Sequence, residues 1–233
     1  MLFDSYFILS DKHNMNNELR RLVNLGITYF ILHPVICNTE YVLNCINEFY
    51  LNEEDSYNVY IALLPSMMTH KEDMKDRVAG ICIPKCLQHN DKSLHYAFET
   101  GSSYSLPIFI HFREGWHDRF YISLDKIKEL LDDYKNVKVI INGINYSEIL
   151  KIIKLFKDAD NVYFDISFFQ SLDGVETLID VFGDDRIVFG TGAPINNPLP
   201  SILKIKYANV SKTSLEKVSY GNILNLLNSS VYL

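Results

Sequence analysis

The sequence predicts a single α/β domain, a compact (β/α)8 barrel spanning residues 1–233. Short runs rich in β-branched and aromatic residues alternate with stretches of helical spacing along the chain. Most of these runs are apolar on both faces, which is typical of buried parallel strands. Eight such strands indicate a barrel, and an open doubly wound sheet is the alternative. No Gly-x-Gly-x-x-Gly follows the first strand, so the dinucleotide-binding form of that alternative is not favoured.

Each strand–helix unit is short on average, so the chain has room for few long insertions. The predicted strands are 2–8, 28–33, 59–64, 78–83, 107–112, 137–142, 162–166 and 187–190. Helical spacing of apolar residues predicts helices at 17–25, 124–134, 146–156, 172–182 and 213–227. A short polar helix is predicted at 66–77. Asn145 is predicted as the N-cap of the helix at 146–156. The run "INNPLPS", 195–201, is predicted as a loop after the last strand.

Composition excludes several classes of function. The net charge of −7 and the isoelectric point near 5.5 argue against nucleic acid as the main partner, because phosphate binding needs clustered Lys and Arg. The N-terminus lacks the basic start and the cleavage site of a signal peptide. No apolar run approaches the roughly 20 residues that span a bilayer. A cytoplasmic protein without a membrane partner is therefore expected, with its four cysteines reduced.

Chemistry in such a barrel is expected at the carboxyl ends of the strands. The residues at those ends that could serve a site are Tyr6, His33, Cys82, Lys85, His111, Arg113, Asn142, Asp165, Thr191 and Gly192. They are far apart in the chain. If the barrel is correct, they converge on one mouth.

At this point the sequence resembles a known family. The runs "PIFIHF", "VKVIING", "NVYFDIS", "FGDDRIVFGTGAP" and "LEKVSYGNILNLL" resemble the second half of amidohydrolase-related barrels, over most of residues 105–227. Residues 161–194 are the most specific part, because the spacing, Gly183, Arg186 and Phe189 agree together. The resemblance extends to the start, where "FDSYFI" stands at the family's Asp-x-His-x-His.

The resemblance implies a metal centre, in which one or two divalent ions activate water. Its ligands are two histidines on strand one, one histidine on each of strands five and six, and an aspartate on strand eight. This chain has Tyr6, Ile8, His111, Asn142 and Gly192 there. Only His111 matches, whereas even an open catalytic site needs about three protein ligands. The prediction is therefore no metal centre of this type and no cofactor; a divalent ion held through His111 is not favoured.

Each candidate has a functional and a structural interpretation. His111 and Asp165 are predicted as the acid/base pair, and Arg113 could hold an anionic substrate group. Alternatively, His111 is satisfied inside the barrel, Asp165 bonds backbone amides of the next loop, and Arg113 is an ordinary solvated arginine. His33, before a proline at a strand end, suits catalysis or a structural hydrogen bond equally.

The remaining positions have the same two interpretations. Tyr6 could donate a hydrogen bond to substrate or fill the space of a family ligand, and Asn142 could polarise a carbonyl or satisfy a neighbouring group. Gly192 could offer its backbone amide to an anion, or it could supply a turn with positive φ.

Two other metal sets are conceivable from the sequence. Cys82, Cys86 and His89 lie close together in "CIPKCLQH", but their spacing is irregular and a fourth zinc ligand is missing, so buried thiols are the simpler interpretation. Cys82 could also act as a nucleophile if a neighbour such as Lys85 lowered its pKa. The other set combines His33, His111, Asp165 and His117.

Two functional hypotheses follow. The first is a divergent hydrolase or lyase that acts on a small carbonyl compound without the usual metal centre. The second is a catalytically inactive homologue that binds a small ligand, pairs with another copy, or supports a homologous partner chain. The mouth discriminates between them. An enzyme should show titratable groups in contact, whereas a relic should show the mouth filled by Tyr6, Phe7 or neighbouring aromatic residues.

Overall fold

The computed structural model describes residues 1–9, 15–51, 57–69, 77–115 and 122–228, with the backbone alone for 48–51. Eight parallel strands form one sheet in chain order, and helices surround it. The predicted (β/α)8 fold is confirmed. The strands are β1 (Leu2–Leu9), β2 (Ile27–Pro34), β3 (Asn58–Leu63), β4 (Val78–Ile83), β5 (Ile108–His111), β6 (Val139–Asn142), β7 (Val162–Asp165) and β8 (Ile187–Val188).

Each strand begins and ends within two residues of its predicted bounds. The agreement has a simple cause: strands buried on both faces carry β-branched and aromatic residues at almost every position. Hydrogen bonds from β1 to the segment after β8 close the barrel. Ser5 N donates to Phe189 O at 3.0 Å, and Ile8 N donates to Ala193 O at 2.7 Å.

The helices match the predictions less well. They are α1 (Met15–Asn24), α2 (Thr39–Leu51), α3 (Asp91–Tyr104), α4 (Leu124–Asp133), α5 (Ile149–Phe156), α6 (Gly174–Phe182), α7 (Leu199–Tyr207), α8 (Lys212–Glu216) and α9 (Asn222–Asn228). The sequence did not predict α2, α3 or α7. The helix predicted at 213–227 is interrupted by a short π-helix, Lys217–Gly221. The helix predicted at 66–77 lies mostly outside the described residues. Over the described chain, no helix combines the length and the apolar content that crossing a bilayer requires.

Two apolar layers hold the barrel together. Outward-facing strand residues such as Phe30, Ile61 and Ile141 pack against the helices. The interior is filled by Phe3, Ile31, Ala62, Ala79, Cys82, Phe109, Ile140 and Val188, together with Ile223, Leu226 and Leu227 of α9. Because these side chains fill it, the interior is a packed core rather than a pore. Burying each large apolar side chain contributes about 1.5–3 kcal/mol to the free energy of folding.

A disulfide corrects the prediction that all four cysteines are reduced. Cys37 and Cys86 are bonded across a sequence separation of 49 residues, with their Cα atoms 6.3 Å apart. Cys37 lies after β2 and Cys86 lies after β4, two strands that flank β3 in the sheet, so the disulfide joins segments at the same end of the barrel. Cys45 and Cys82 are free thiols.

Candidate functional site

A layer of buried polar side chains lies at the carboxyl ends of the strands. Its members are His33 on β2, His111 on β5, Asn142 on β6 and Asp165 on β7. Each lies two residues after an apolar or aromatic residue of the interior cluster: Ile31, Phe109, Ile140 and Tyr163, respectively. Side chains alternate along a strand, so this spacing points all four inward. All four are 0 % exposed.

The two predicted catalytic histidines are in direct contact. Nδ1 of His33 lies 3.1 Å from Nε2 of His111. The thiol of Cys82, at the end of β4, lies 3.2 Å from the same Nε2 atom. One ligand atom from each of the three residues lies within 4.8 Å of the others, and within the described residues no other such group of His, Cys, Asp or Glu occurs.

The outer nitrogens of both imidazoles also have partners. Nε2 of His33 lies 2.8 Å from the carbonyl oxygen of Ser5. Nδ1 of His111 lies 3.0 Å from Oε1 of Glu114. Burial, reinforced by the neighbouring His111, holds the pKa of His33 well below its ordinary value of 6.5. Burial, with a smaller contribution from Glu114, raises the pKa of the Cys82 thiol well above 9.0. The buried thiol therefore lacks the lowered pKa that an activated nucleophile needs.

Tyr6 fills the centre of the mouth. Its hydroxyl donates to the carbonyl oxygen of Arg113 at 2.8 Å. Its ring meets those of His33 and His111 edge-on, at centroid distances of 5.3 and 5.0 Å. Ile8 and Phe168 pack with it in a small apolar cluster, and all three are 0 % exposed. Two of the family's ligand positions, Tyr6 and Ile8, are thus used for packing.

A second polar group surrounds Asp165. Its Oδ1 atom accepts the amide of Gly143 at 2.7 Å, whereas Oδ2 has no hydrogen-bonding partner among the described residues. The Asn142 amide and the Ser167 hydroxyl lie close enough to the carboxyl group that their polar interaction with it lowers its pKa, although neither reaches full hydrogen-bond geometry. Burial is the larger effect and raises the pKa of Asp165 above 3.8.

Lys204 of α7 faces this group. Its ammonium donates to the carbonyl oxygens of Ile166, Ser167 and Phe169. Burial lowers the pKa of Lys204 from 10.5 to about 8, and the nearby Asp165 acts in the opposite direction. The pKa values of the acid and the amine are therefore displaced toward each other, which is common at functional sites.

Asp4 ties β1 to the segment after β8. Its Oδ1 atom accepts the amides of Tyr6 at 3.1 Å and of Thr191 at 2.9 Å, and Oδ2 accepts the Thr191 hydroxyl. Burial raises the pKa of Asp4 from 3.8 to about 6, although these hydrogen bonds oppose the shift. Every carboxylate oxygen has a partner, so Asp4 serves barrel closure.

The structure explains why residue 192 is glycine. Gly192 has φ +67°, and a Cβ added there would lie 3.0 Å from Cε2 of Phe168 and 3.4 Å from the Asn196 side chain. Its amide donates to Tyr6 O at 2.8 Å. An aspartate would need a left-handed backbone and the space that Phe168 occupies. The amide is engaged within the chain rather than directed at an anion.

The other predicted site residues are placed as follows. Arg113 donates to Gly143 O at 2.9 Å and pairs with Glu148 at 3.3 Å, so its guanidinium makes internal contacts. His117 lies outside the described residues. Cys86 is in the disulfide and His89 is exposed, so the zinc set of Cys82, Cys86 and His89 is not formed.

The sequence did not indicate Glu114, Ser167 or Lys204 as site residues. Glu114 lies only three residues after His111, and that spacing was a usable signal. Lys204 reaches the site from α7, across a separation of 38 residues from Ile166, and no local pattern indicates this.

The family's metal centre does not fit these residues. Tyr6 and Ile8 pack against Phe168, Gly192 has no side chain, and the Asn142 amide faces Asp165. Of the five positions, only His111 carries a ligand of the required type.

Solved structures with this fold are numerous. A dihydroorotase from Campylobacter jejuni is 16 % identical, with a TM-score of 0.68 and coverage of 97 % of this chain and 83 % of that one. A 2,6-dihydroxybenzoate decarboxylase from Rhizobium is 12 % identical, with a TM-score of 0.66 and coverage of 98 % and 99 %. A putative amidohydrolase from Staphylococcus aureus is 14 % identical, with a TM-score of 0.65 and coverage of 97 % and 98 %. At these identities the likeness shows the fold alone.

The family itself is shown by the sequence profile. A search of curated proteins finds no match. The profile of the family described as amidohydrolase matches residues 86–228, more than half of the chain. The matched residues include His111, Asn142, Asp165 and Gly192. By this match, the chain belongs to the amidohydrolase family.

Proposed function

We propose that this chain is a divergent hydrolase or lyase of the amidohydrolase family, acting on a small carbonyl compound without the family's five-ligand metal centre. The residues that would act are Asp165 and Asn142, supported by Lys204. Several solved structures with this fold are decarboxylases, and one is a dihydroorotase. These activities support the two reaction classes and define a first set of test compounds.

One observation carries the proposal. Six buried side-chain polar atoms have no hydrogen-bonding partner among the described residues, and four of them belong to one group: both amide atoms of Asn142, Oδ2 of Asp165 and the Ser167 hydroxyl. These four lie around the carboxyl group of Asp165. Buried polar atoms are nearly always paired, because leaving one unpaired costs about 1–3 kcal/mol. A cluster of such atoms at a barrel mouth is therefore suited to a polar ligand.

The chemistry of the cluster fits proton transfer. Asn142 offers N–H donors that can polarise a carbonyl. Asp165 has one oxygen free to accept or return a proton, and its raised pKa brings it closer to working pH. Lys204 fixes the carbonyls after β7 and places positive charge near the carboxylate. His111 lies on the neighbouring strand as the register partner of Asn142, but both of its ring nitrogens contact other residues, so it is given no step in this reaction.

The test is turnover by metal-depleted protein. Chelator-treated enzyme would be assayed against simple lactones, dihydroorotate and hydroxybenzoates, with Asp165→Asn as the probe. The variant keeps the Oδ1 acceptor for Gly143, so it should fold. We expect kcat/KM to fall by at least about 100-fold. Asp160→Asn, an exposed acid just before β7, is the matched control and should keep full activity.

A second function has its own supporting observation. Tyr6, Ile8 and Phe168 occupy the mouth and are 0 % exposed, which is the arrangement expected of an inactive relic. Such a chain would bind a partner or a small ligand instead of turning over a substrate. If no compound in the set is converted and Asp165→Asn alters nothing but stability, this second function replaces the first.

A further inference from the structure

We propose that His33, Cys82 and His111 bind one thiophilic transition-metal ion, with zinc as the first candidate. The site uses β2, β4 and β5, whereas the family's centre uses β1, β5, β6 and β8. The inference does not depend on the proposed function, because an ion can be held by an active or an inactive barrel.

The hydrogen bonds of the two imidazoles carry the argument. The Ser5 carbonyl can only accept, so Nε2 of His33, 2.8 Å away, must carry a hydrogen. The Glu114 carboxylate likewise requires a hydrogen on Nδ1 of His111, at 3.0 Å. In neutral imidazoles the remaining nitrogens, Nδ1 of His33 and Nε2 of His111, are then both acceptors.

These two acceptor nitrogens face each other at 3.1 Å. Two lone pairs at that distance repel unless a positive centre lies between them. The Cys82 thiol has one hydrogen and lies 3.2 Å from His111 Nε2, so it can satisfy at most one of the two nitrogens. Two imidazole lone pairs and a thiol, with their donor atoms all within 4.8 Å of one another, are the donor set of a metal site.

The distances are close to those that zinc requires. With Zn–N near 2.0–2.1 Å and Zn–S near 2.3 Å, tetrahedral geometry separates two nitrogens by about 3.3 Å and nitrogen from sulfur by about 3.6 Å. The observed separations of 3.1 and 3.2 Å are shorter by a few tenths of an ångström. Small side-chain rotations would accommodate the ion.

The surroundings support ligation. In metal sites, histidine ligands usually donate their other N–H to a carboxylate or a backbone carbonyl, which sets the tautomer and the ring orientation. Glu114 and the Ser5 carbonyl fill these two roles. The Cys37–Cys86 disulfide joins the segments that follow His33 and Cys82, and this cross-link holds together the strand ends that carry two of the ligands.

The ligand types decide the class of ion. Imidazole and thiolate favour zinc, copper(I) and cobalt(II), whereas magnesium and calcium prefer oxygen ligands. Binding would convert the buried thiol to a thiolate, so about one proton should be released per ion bound.

The experiment is a cobalt(II) and zinc titration of the full chain, purified without metal resin and dialysed against chelator. Cobalt bound by a thiolate gives a charge-transfer band in the near ultraviolet, which reports Cys82 directly. We expect one ion per chain, the band, and release of about one proton. Cys45→Ser, which removes the other free thiol, and His95→Gln should bind as the wild type does.

The variants of the site decide the outcome. Cys82→Ser should lose the band, and His33→Gln should bind cobalt more than tenfold less tightly. Glu114→Gln keeps all three ligands and replaces only the carboxylate that accepts from Nδ1 of His111, so it remains informative if the other variants fail to fold. It should weaken binding by about 10- to 100-fold. A wild-type chain that binds no stoichiometric ion overturns the proposal, and so does a band that persists in Cys82→Ser.

A shared proton between His33 and His111 is the competing explanation of their contact. It predicts no ion, no band and no thiol proton released. Metal stoichiometry and turnover of metal-depleted protein are separate measurements, so the failure of this site and the failure of the proposed function are distinguishable.

Discussion

Restoring the family's acid at position 192 should destabilise the protein. In Gly192→Asp, a residue with a Cβ must adopt φ near +67°, which costs roughly 1–2 kcal/mol. Its Cβ would lie 3.0 Å from the buried Phe168 ring, and overpacking of this kind adds about 1–3 kcal/mol. We therefore expect the free energy of unfolding to fall by about 2–5 kcal/mol. The measurement is urea unfolding at 25 °C, followed by circular dichroism.

Two further variants separate the contributions. Gly192→Ala keeps the backbone and Cβ costs but adds no carboxylate, so its difference from Gly192→Asp reports the buried charge. The double variant Gly192→Asp with Phe168→Ala removes the obstructing ring, so the two changes should be less than additive. If the free energy of unfolding of Gly192→Asp lies within about 0.5 kcal/mol of the wild-type value, the steric explanation of this glycine is wrong. That threshold is about the scatter seen for neutral surface substitutions.

Two other residues give predictions. The folded pKa of Asp4, about 6, lies above its ordinary 3.8, so its contribution to stability is fully present below pH 3.8 and is lost as pH rises through about 6. Asp4→Asn removes this loss, because asparagine does not titrate. The difference in unfolding free energy between Asp4→Asn and the wild type should therefore shift in favour of the variant by up to about 3 kcal/mol between pH 4 and pH 7. A difference that does not change with pH would contradict the raised pKa. Arg186 donates to carbonyl oxygens of Phe156, Lys157, Ala159 and Phe182, at the ends of α5 and α6. Arg186→Met should cost about 3–5 kcal/mol in thermal or urea unfolding, and Arg186→Lys should recover only part of it.

The predictability of the elements follows from their burial. Strands covered on both faces are apolar at nearly every position, so all eight were found from the sequence. The helix α7 was missed because Leu199, Leu203 and Tyr207 are exposed, so its apolar residues do not mark one buried face. In α3, Gly101 packs against Ile108 and Leu106, and a glycine in a helix weakens the local signal.

The candidate site was predictable only in part. His33, His111, Asn142 and Asp165 end strands that alternate inward, and therefore their convergence follows from the fold. The contact between His33 and His111 and the approach of Cys82 depend on side-chain positions across three strands. No local pattern of residues encodes such distances.

The sequence by itself determined the barrel, the family resemblance and the replacement of four of the five ligand positions, because these depend on residue type and spacing along the chain. The tertiary structure decided what replaced them. Tyr6 and Phe168 fill the mouth, Gly192 leaves room for that packing, and Arg113 turns toward Glu148. The tertiary structure also brings the ligand atoms of His33, Cys82 and His111 within 4.8 Å of one another. Barrel closure sets these separations, since it places residues from strands β1 to β8 around one axis.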